Sequence, residues 1–172
     1  MDVSGSIARP ARPVLAVLAG GGIAATLDIV YACLSNAQYG KTPLWVLQAV
    51  GSGWLGSASF SSGLVGSGVG LASHYLILLV AAIVYWAASK RLPVLRTRAV
   101  AFGALFGALV YPFMTFVVVP LSAFPWELTY TPSRLIEGFA SHALFVGIPI
   151  ALSIRRWAYA GVSDPSPETL AR

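Results

Sequence analysis

Charged side chains are scarce in this sequence. Asp, Glu, Lys and Arg together make up 10% of its 172 residues, whereas soluble globular domains carry roughly 25%. Hydrophobic residues make up 57%, and the mean hydropathy is +0.77. So few charges cannot cover a water-facing surface, so the composition predicts an integral membrane protein.

Cysteine is almost absent as well. The single Cys33 excludes an intrachain disulfide, a CxxC redox pair and a cysteine-rich metal site. Cys33 follows Val30-Tyr31-Ala32, a weak likeness to a lipoprotein cleavage box. Because Asp28 interrupts the apolar stretch, and the stretch is too long for a signal peptide, we expect the first apolar segment to be retained.

Motifs for nucleotide, dinucleotide or zinc-protease chemistry are absent from the sequence. The run from Gly63 to Gly70 has the glycine content of a phosphate loop, but it lacks the Lys-Ser/Thr ending that such a loop needs. The sequence therefore predicts no catalytic residue, no cofactor and no metal, and it favours a protein that is not an enzyme.

Four long apolar segments are present instead. Each has about the 20 residues that a bilayer core demands, and in hydrocarbon such segments must be helices. The prediction is an all-α integral membrane four-helix bundle. Its parts are a cytoplasmic N-terminal segment at 1–13, a membrane domain at 14–156 with spans at 14–34, 63–88, 100–119 and 135–154, and a disordered cytoplasmic tail at 157–172.

A fifth, shorter helix is predicted between spans 1 and 2. Thr42-Pro43 is a helix-start signal, and an apolar run follows it to Val50. We expect Gly51-Ser52-Gly53 to end this helix. Because seven or eight residues cannot cross a bilayer, the helix is predicted to be interfacial or re-entrant.

The basic residues predict the direction of the chain in the membrane. All Lys and Arg except Lys41 and Arg134 lie before span 1, between spans 2 and 3, or after span 4. The positive-inside rule therefore places both termini in the cytoplasm. This spacing accounts for the net charge of +5 without a basic patch, so no nucleic acid is expected as a partner.

Polar residues mark one face of each span. Counted from the outer end at about 1.5 Å per residue, Asp28, His74, Tyr111 and His142 each lie roughly 9–15 Å deep. Four spans thus contribute one polar layer, in which Asp28 pairs with a histidine and Tyr111 serves as a hydrogen-bond partner. Charges at this depth usually face inward, pair or become neutral.

Secondary candidates are Tyr31, Glu137 and Ser141, which lie on the same polar faces. Each candidate also has a structural interpretation. The histidines, Asp28 and Tyr111 can simply fix helix packing, and Glu137 is expected in the first turn of its helix, where an acid suits the helix dipole.

The chain resembles an uncharacterised group of bacterial inner-membrane proteins with four spans. The likeness rests on the segments Gly21–Asp28, Leu47–Val50, Gly53–Gly56, Gly70–His74, Val119–Ser122 and His142–Pro149. A fainter similarity to YagU-type inner-membrane proteins rests on Glu137, five residues before His142, and on a Pro- and Trp-containing third link. The resemblance implies four spans in a bacterial inner membrane, and it implies no reaction, substrate or site residue.

Three functions follow as hypotheses. In the first, the polar layer supports ion, proton or small-solute movement. In the second, the protein is structural or accessory, and its polar residues only fix packing. In the third, His74 and His142 hold a haem or a metal. The expected partner is the lipid bilayer, and a homo-oligomer is left open.

The predicted direction can be tested with reporter fusions. Green fluorescent protein fused after Arg172 should fluoresce, and alkaline phosphatase at the same position should be inactive, because both would stay in the cytoplasm. Alkaline phosphatase inserted within residues 36–62 is the matched control and should be active. The opposite pattern would show that the basic loops do not set the orientation.

Overall fold

The computed structural model describes residues 10–161, and all regular structure within that range is helical. The helices are α1 Pro13–Ala37, α2 Pro43–Leu55, α3 Ala58–Ser61, α4 Leu64–Arg91, α5 Val94–Thr97, α6 Ala99–Phe113, α7 Pro132–Ser141 and α8 Ile148–Ser153, with π-helical turns at Met114–Val118, His142–Gly147 and Ile154–Ala158.

Four helical stretches are long and apolar enough to cross a membrane. They are span 1 at Pro13–Ala37, span 2 at Leu64–Arg91, span 3 at Ala99–Val118 and span 4 at Pro132–Ala158. The predicted all-α four-helix membrane bundle is therefore confirmed, and the protein is a multi-pass membrane protein.

Span 4 runs further than the sequence indicates. The sequence predicts that the tail begins at residue 157, but the helix continues to Ala158, which is buried. The carbonyl oxygen of Trp157 also accepts a hydrogen bond from the backbone N–H of Arg12 at 2.7 Å, which joins this end of span 4 to the start of span 1. Beyond this helix, the hydroxyl of Tyr159 lies 2.9 Å from that of Ser89, so the first residues of the predicted tail pack on the bundle. The tail residues 162–172 and the N-terminal residues 1–9 lie outside the described residues.

Threonine side chains begin two of the helices. The hydroxyl oxygen of Thr42 accepts from the N–H of Trp45 at 3.2 Å, and that of Thr131 accepts from the N–H of Arg134 at 3.4 Å. A proline follows each threonine, where its missing N–H leaves no hydrogen bond unmade. The predicted start of α2 is confirmed.

Span 1 is the central helix of the bundle. It packs against spans 2 and 4, while span 3 packs mainly against span 4. Spans 2 and 3 share few close backbone contacts and meet through the rings of Tyr85 and Phe106, whose centroids are 5.1 Å apart. The buried core combines alanines with a few large side chains, as expected where helices in lipid associate by close packing; it includes Ala16, Ala24, Ala25, Leu78, Ala82, Tyr85, Ile150 and Ile154.

Glycines set the contact between spans 3 and 4. Gly103 and Gly107 are one helical turn apart and face Gly147. A Cβ on Gly107 would overlap the carbonyl oxygen of His142, and one on Gly147 would overlap that of Gly103. The two backbones can approach this closely only without side chains, the arrangement that small-xxx-small patterns allow in membranes.

The helix between spans 1 and 2 is longer than predicted. Gly51-Ser52-Gly53 does not end α2, which continues to Leu55. Gly51 is instead a docking position, because a Cβ there would overlap the carbonyl oxygen of Gly66. Gly70 lies in the same way against the carbonyl oxygen of Leu47.

Buried polar groups complete this docking. The hydroxyl of Ser59 donates to the carbonyl of Gln48 at 2.7 Å, and the side-chain amide of Gln48 donates to the carbonyl of Gly63 at 3.1 Å. Both side chains are buried, so these bonds satisfy polar groups that would otherwise destabilise the fold. The helix is thus fixed to span 2, and its depth in the bilayer stays a prediction.

Replacement of Gly70 by alanine should loosen the contact between α2 and span 2. The added methyl would meet backbone rather than a flexible side chain, and such overpacking costs about 1–3 kcal/mol. We expect Gly70→Ala to lower the thermal unfolding midpoint of the purified protein by several degrees.

Gly68→Ala is the matched control, since Gly68 lies on the same helix with nothing within 4 Å of its added Cβ. It should leave the midpoint unchanged or raise it slightly through helix propensity. Equal midpoints for the two variants would contradict the close contact.

Candidate functional site

Three titratable side chains from three spans converge inside the bundle. Asp28 lies on span 1, His74 on span 2 and His142 on span 4. An oxygen of Asp28 is 3.8 Å from Nε2 of His74, and the other is 3.9 Å from Nδ1 of His142. Asp28 is 9% exposed and His74 is 8% exposed. We call these three residues the polar centre.

Backbone carbonyls fix the tautomer that each histidine takes when its ring is neutral. Nε2 of His74 lies 3.0 Å from the carbonyl oxygen of Ala25, and Nδ1 of His142 lies 3.1 Å from that of Gly138. A carbonyl oxygen can only accept, so each of these nitrogens carries a proton and donates it. The second nitrogen of each neutral ring is then an acceptor.

The acceptor nitrogens, Nδ1 of His74 and Nε2 of His142, make no hydrogen bond within the part of the chain that the structure describes. The carboxyl group of Asp28 also has none there, because 3.8 and 3.9 Å exceed hydrogen-bond length. None of these atoms is among the fully buried polar atoms without a partner in the described residues, so they face accessible space. The polar centre thus presents unused hydrogen-bonding capacity.

The polar centre lies on the wall of a cleft of about 940 Å³. The cleft is bounded by α2, by spans 2 and 3, and by the segment that follows span 3. Most of its lining is apolar, and its aromatic members are Trp45, Trp54, Phe113 and Phe124. An apolar cavity of this size with a few convergent polar groups is typical of a ligand site.

The cleft is closed towards the α5 end of the bundle. From the level of Ala25 and Leu78 to that of Ala16 and Ile154, the space between the spans is filled by the buried core. The polar centre is therefore reached from the cleft and separated from the α5 end by packed apolar side chains.

His142 also marks a change in the helix of span 4. It is the first residue of the π-helical turn His142–Gly147, and Pro149, which has no backbone N–H to donate, follows two residues later. Pro112 precedes a second π-helical turn in span 3. Such turns occur frequently at functional sites of membrane and soluble helices.

Tyr111 does not bond to Asp28, so this part of the predicted layer is wrong. Its ring lies 5.1 Å from that of His142, but its hydroxyl donates to the carbonyl of Arg134 at 3.5 Å. The phenol ring lies over Gly138, where a Cβ would overlap it. Because Gly138 has no side chain, the ring of Tyr111 can pack against span 4 there, and its hydroxyl reaches the carbonyl of Arg134 and not the carboxyl group of Asp28.

Of the secondary candidates, Tyr31 and Glu137 form a separate pair, whereas Ser141 contacts the polar centre. The hydroxyl of Tyr31 donates to a carboxylate oxygen of Glu137 at 2.8 Å, joining spans 1 and 4. The expected place of Glu137 in the first helical turn is wrong, since α7 begins at Pro132. Ser141 donates to the carbonyl of Gly138 at 3.1 Å and lies 3.4 Å from Nδ1 of His142.

Sequence reasoning missed the cleft and its aromatic walls. Tryptophans in the outer links of a membrane protein are ordinarily expected to serve as interfacial anchors. Instead, Trp45 stacks on Trp126 with ring centroids 6.3 Å apart, and Phe60 and Phe124 pack against Trp126. The signal that could have found them is the concentration of aromatic residues in two links that are otherwise poor in charge.

Within residues 10–161, no group of three or more His, Cys, Asp or Glu side chains is arranged to hold a metal ion. Comparisons with protein-family models, with curated proteins and with solved structures give no match to this chain.

The hydrogen bond between Tyr31 and Glu137 should contribute to stability. We expect Tyr31→Phe to lower the free energy of unfolding by about 1 kcal/mol, a typical value for such a bond. In a Glu137→Ala background the same change should cost much less, because the partner is already gone. Equal costs in both backgrounds, measured by denaturant titration in micelles, would contradict a direct bond.

Proposed function

We propose that this protein moves protons or a small solute through its polar centre. The observation that supports this function best is the carboxyl group of Asp28, which is buried within a membrane span without a hydrogen bond and lies on the wall of a cleft. An ionisable side chain in this position is by default a functional-site hypothesis in a membrane protein.

The neighbours of Asp28 suit proton exchange. An ionised carboxylate near the bilayer centre costs about 2.5–3.5 kcal/mol or more, so it gains from protonation or from a nearby cation. Two imidazoles lie within 4 Å of it, and histidine is the side chain that most readily takes up and releases a proton near neutral pH. An approach of about 1 Å would bring either ring within hydrogen-bond length of the carboxyl group and let a proton pass between them.

Movement across the membrane requires a second conformation. The packed core closes the α5 end of the bundle, so a proton or solute in the cleft has access to one side only. In the proposed cycle, spans 3 and 4 bend at the helix irregularities near Pro112 and Pro149 to open the other side, as kinked membrane helices can.

A structural or accessory role is the second candidate, and one observation favours it. The hydrogen bond from His74 to the carbonyl of Ala25 joins span 2 to span 1, and such a bond can fix the register of two helices without any transport. On this hypothesis the polar centre holds the bundle together.

The membrane and the orientation belong to the same proposal. The basic loops and the resemblance to four-span bacterial proteins support a bacterial inner membrane, with both termini in the cytoplasm. In that orientation the cleft opens in the half of the bilayer away from the cytoplasm. A homo-oligomer is compatible with this arrangement and is not required by it.

Proton movement can be measured in liposomes. Purified protein should dissipate an imposed pH gradient faster than protein-free liposomes, read with an enclosed pH-sensitive dye and with potassium and valinomycin present to balance charge. Asp28→Asn should return the rate to the protein-free level, because the amide cannot exchange a proton.

Glu137→Gln is the matched control. It removes a carboxyl group from the same bundle but keeps an acceptor for Tyr31, and Glu137 does not line the cleft. Its rate should equal that of the wild type. If no preparation dissipates the gradient and Asp28→Asn only lowers thermal stability, the proposed proton movement is wrong and the accessory role is favoured.

A further inference from the structure

We propose that the cleft binds an amphipathic amine, a molecule with an apolar body and a protonated amino group, that enters from the lipid phase. This inference rests on the proposed function, because it assigns the solute to the same polar centre. Hydrogen-bonding chemistry, the nature of the walls and the position of the entrance each support it.

The polar centre offers acceptors and no free donors to a ligand. With each histidine neutral, the N–H groups are already directed at the carbonyls of Ala25 and Gly138. What is left on these three cleft-lining residues is the carboxylate of Asp28 and one lone pair on each imidazole. This set complements a group with several N–H donors and a positive charge, such as an ammonium, and it repels a carboxylate or phosphate.

The charge of the lining agrees with this preference. Among the described residues that border the cleft, Asp28 is the one acid, and none is Lys or Arg. An ammonium that pairs with Asp28 therefore meets no competing cation on the cleft wall. In a water-poor site, such a charge-assisted contact is stronger than at a protein surface.

The walls suit the apolar body of such a ligand. Trp45, Trp54, Phe113 and Phe124 line the cleft together with aliphatic side chains. One face of Trp45 already holds a cation, since Nζ of Lys41 lies 4.3 Å from its ring centroid, so these walls serve the apolar body of the ligand. The volume of about 940 Å³ lies within the range of pockets that hold small organic molecules.

The entrance lies between two spans. Spans 2 and 3 both border the cleft, yet they do not pack closely on each other there. On span 3, the cleft-lining side chains of Phe113 and Val117 are 58% and 40% exposed, and Trp54 of α2 is 70% exposed. In a bilayer this gap faces acyl chains, so a ligand that partitions into lipid can reach it.

The preference can be tested with compounds that share one body. 4-Phenylbutylamine, 4-phenylbutyltrimethylammonium and 5-phenylpentanoate carry the same phenylbutyl body and differ only in the polar head. With the full chain in lipid nanodiscs and isothermal titration calorimetry as the readout, the amine should bind saturably. The quaternary compound should bind more weakly because it lacks N–H donors, and the carboxylate should not bind.

Asp28→Asn should weaken amine binding about tenfold or more, in line with loss of a buried charge partner. Glu137→Gln should change it less than about twofold, because that acid lies outside the cleft. If Asp28→Asn does not fold, Trp54→Ala at the exposed mouth is the second variant, and a several-fold loss is expected from it.

Two results would overturn the inference: binding of the carboxylate as tight as that of the amine, or unchanged amine affinity in a folded Asp28→Asn protein. Proton flux that depends on Asp28 without amine binding would remove this inference and leave the proposed function. Amine binding without any flux would remove proton movement and leave the ligand site.

Discussion

The burial of one carboxyl group within a membrane span constrains much of this structure. Asp28 can lie there only if other spans supply polar neighbours, because lipid offers none. Span 2 supplies His74 and span 4 supplies His142, each within 4 Å. Since both neighbours donate their N–H groups to backbone carbonyls, the carboxyl group keeps its capacity for a proton or a ligand.

Close packing elsewhere leaves the cleft open. Glycines hold span 3 against span 4 and α2 against span 2, so two tight pairs form on opposite sides of span 1. No comparable glycine contact joins spans 2 and 3 in the described residues. The cleft occupies the space that these unequal contacts leave, and its aromatic lining comes largely from the helix and links that cover it.

The sequence predicted what depends on composition and helical period. Apolar length located the spans, and a rise of about 1.5 Å per residue placed Asp28, His74 and His142 at one depth. It did not predict Tyr111, whose direction depends on the missing side chain of Gly138 on another span. Nor did it predict the length of α2. Glycine often marks the end of a helix, but Gly51 lies within α2 and lets it pack closely against span 2. The cleft depends on the order of spans in space, which periodicity does not contain.

Tyr85 joins span 2 to span 3 and to α5 near one end of the bundle, so the two spans can pivot about this contact. Its ring lies 5.1 Å from that of Phe106, and its hydroxyl donates to the carbonyl of Leu95 at 2.7 Å. Spans 2 and 3 are thus held together at one end, and we call this contact the clasp. His74 lies eleven residues along span 2, about 16 Å from this clasp. A pivot of about 5° at the clasp would shift span 2 by roughly 1.4 Å at the level of His74. Small adjustments in a short loop are thereby magnified at the mouth of the cleft.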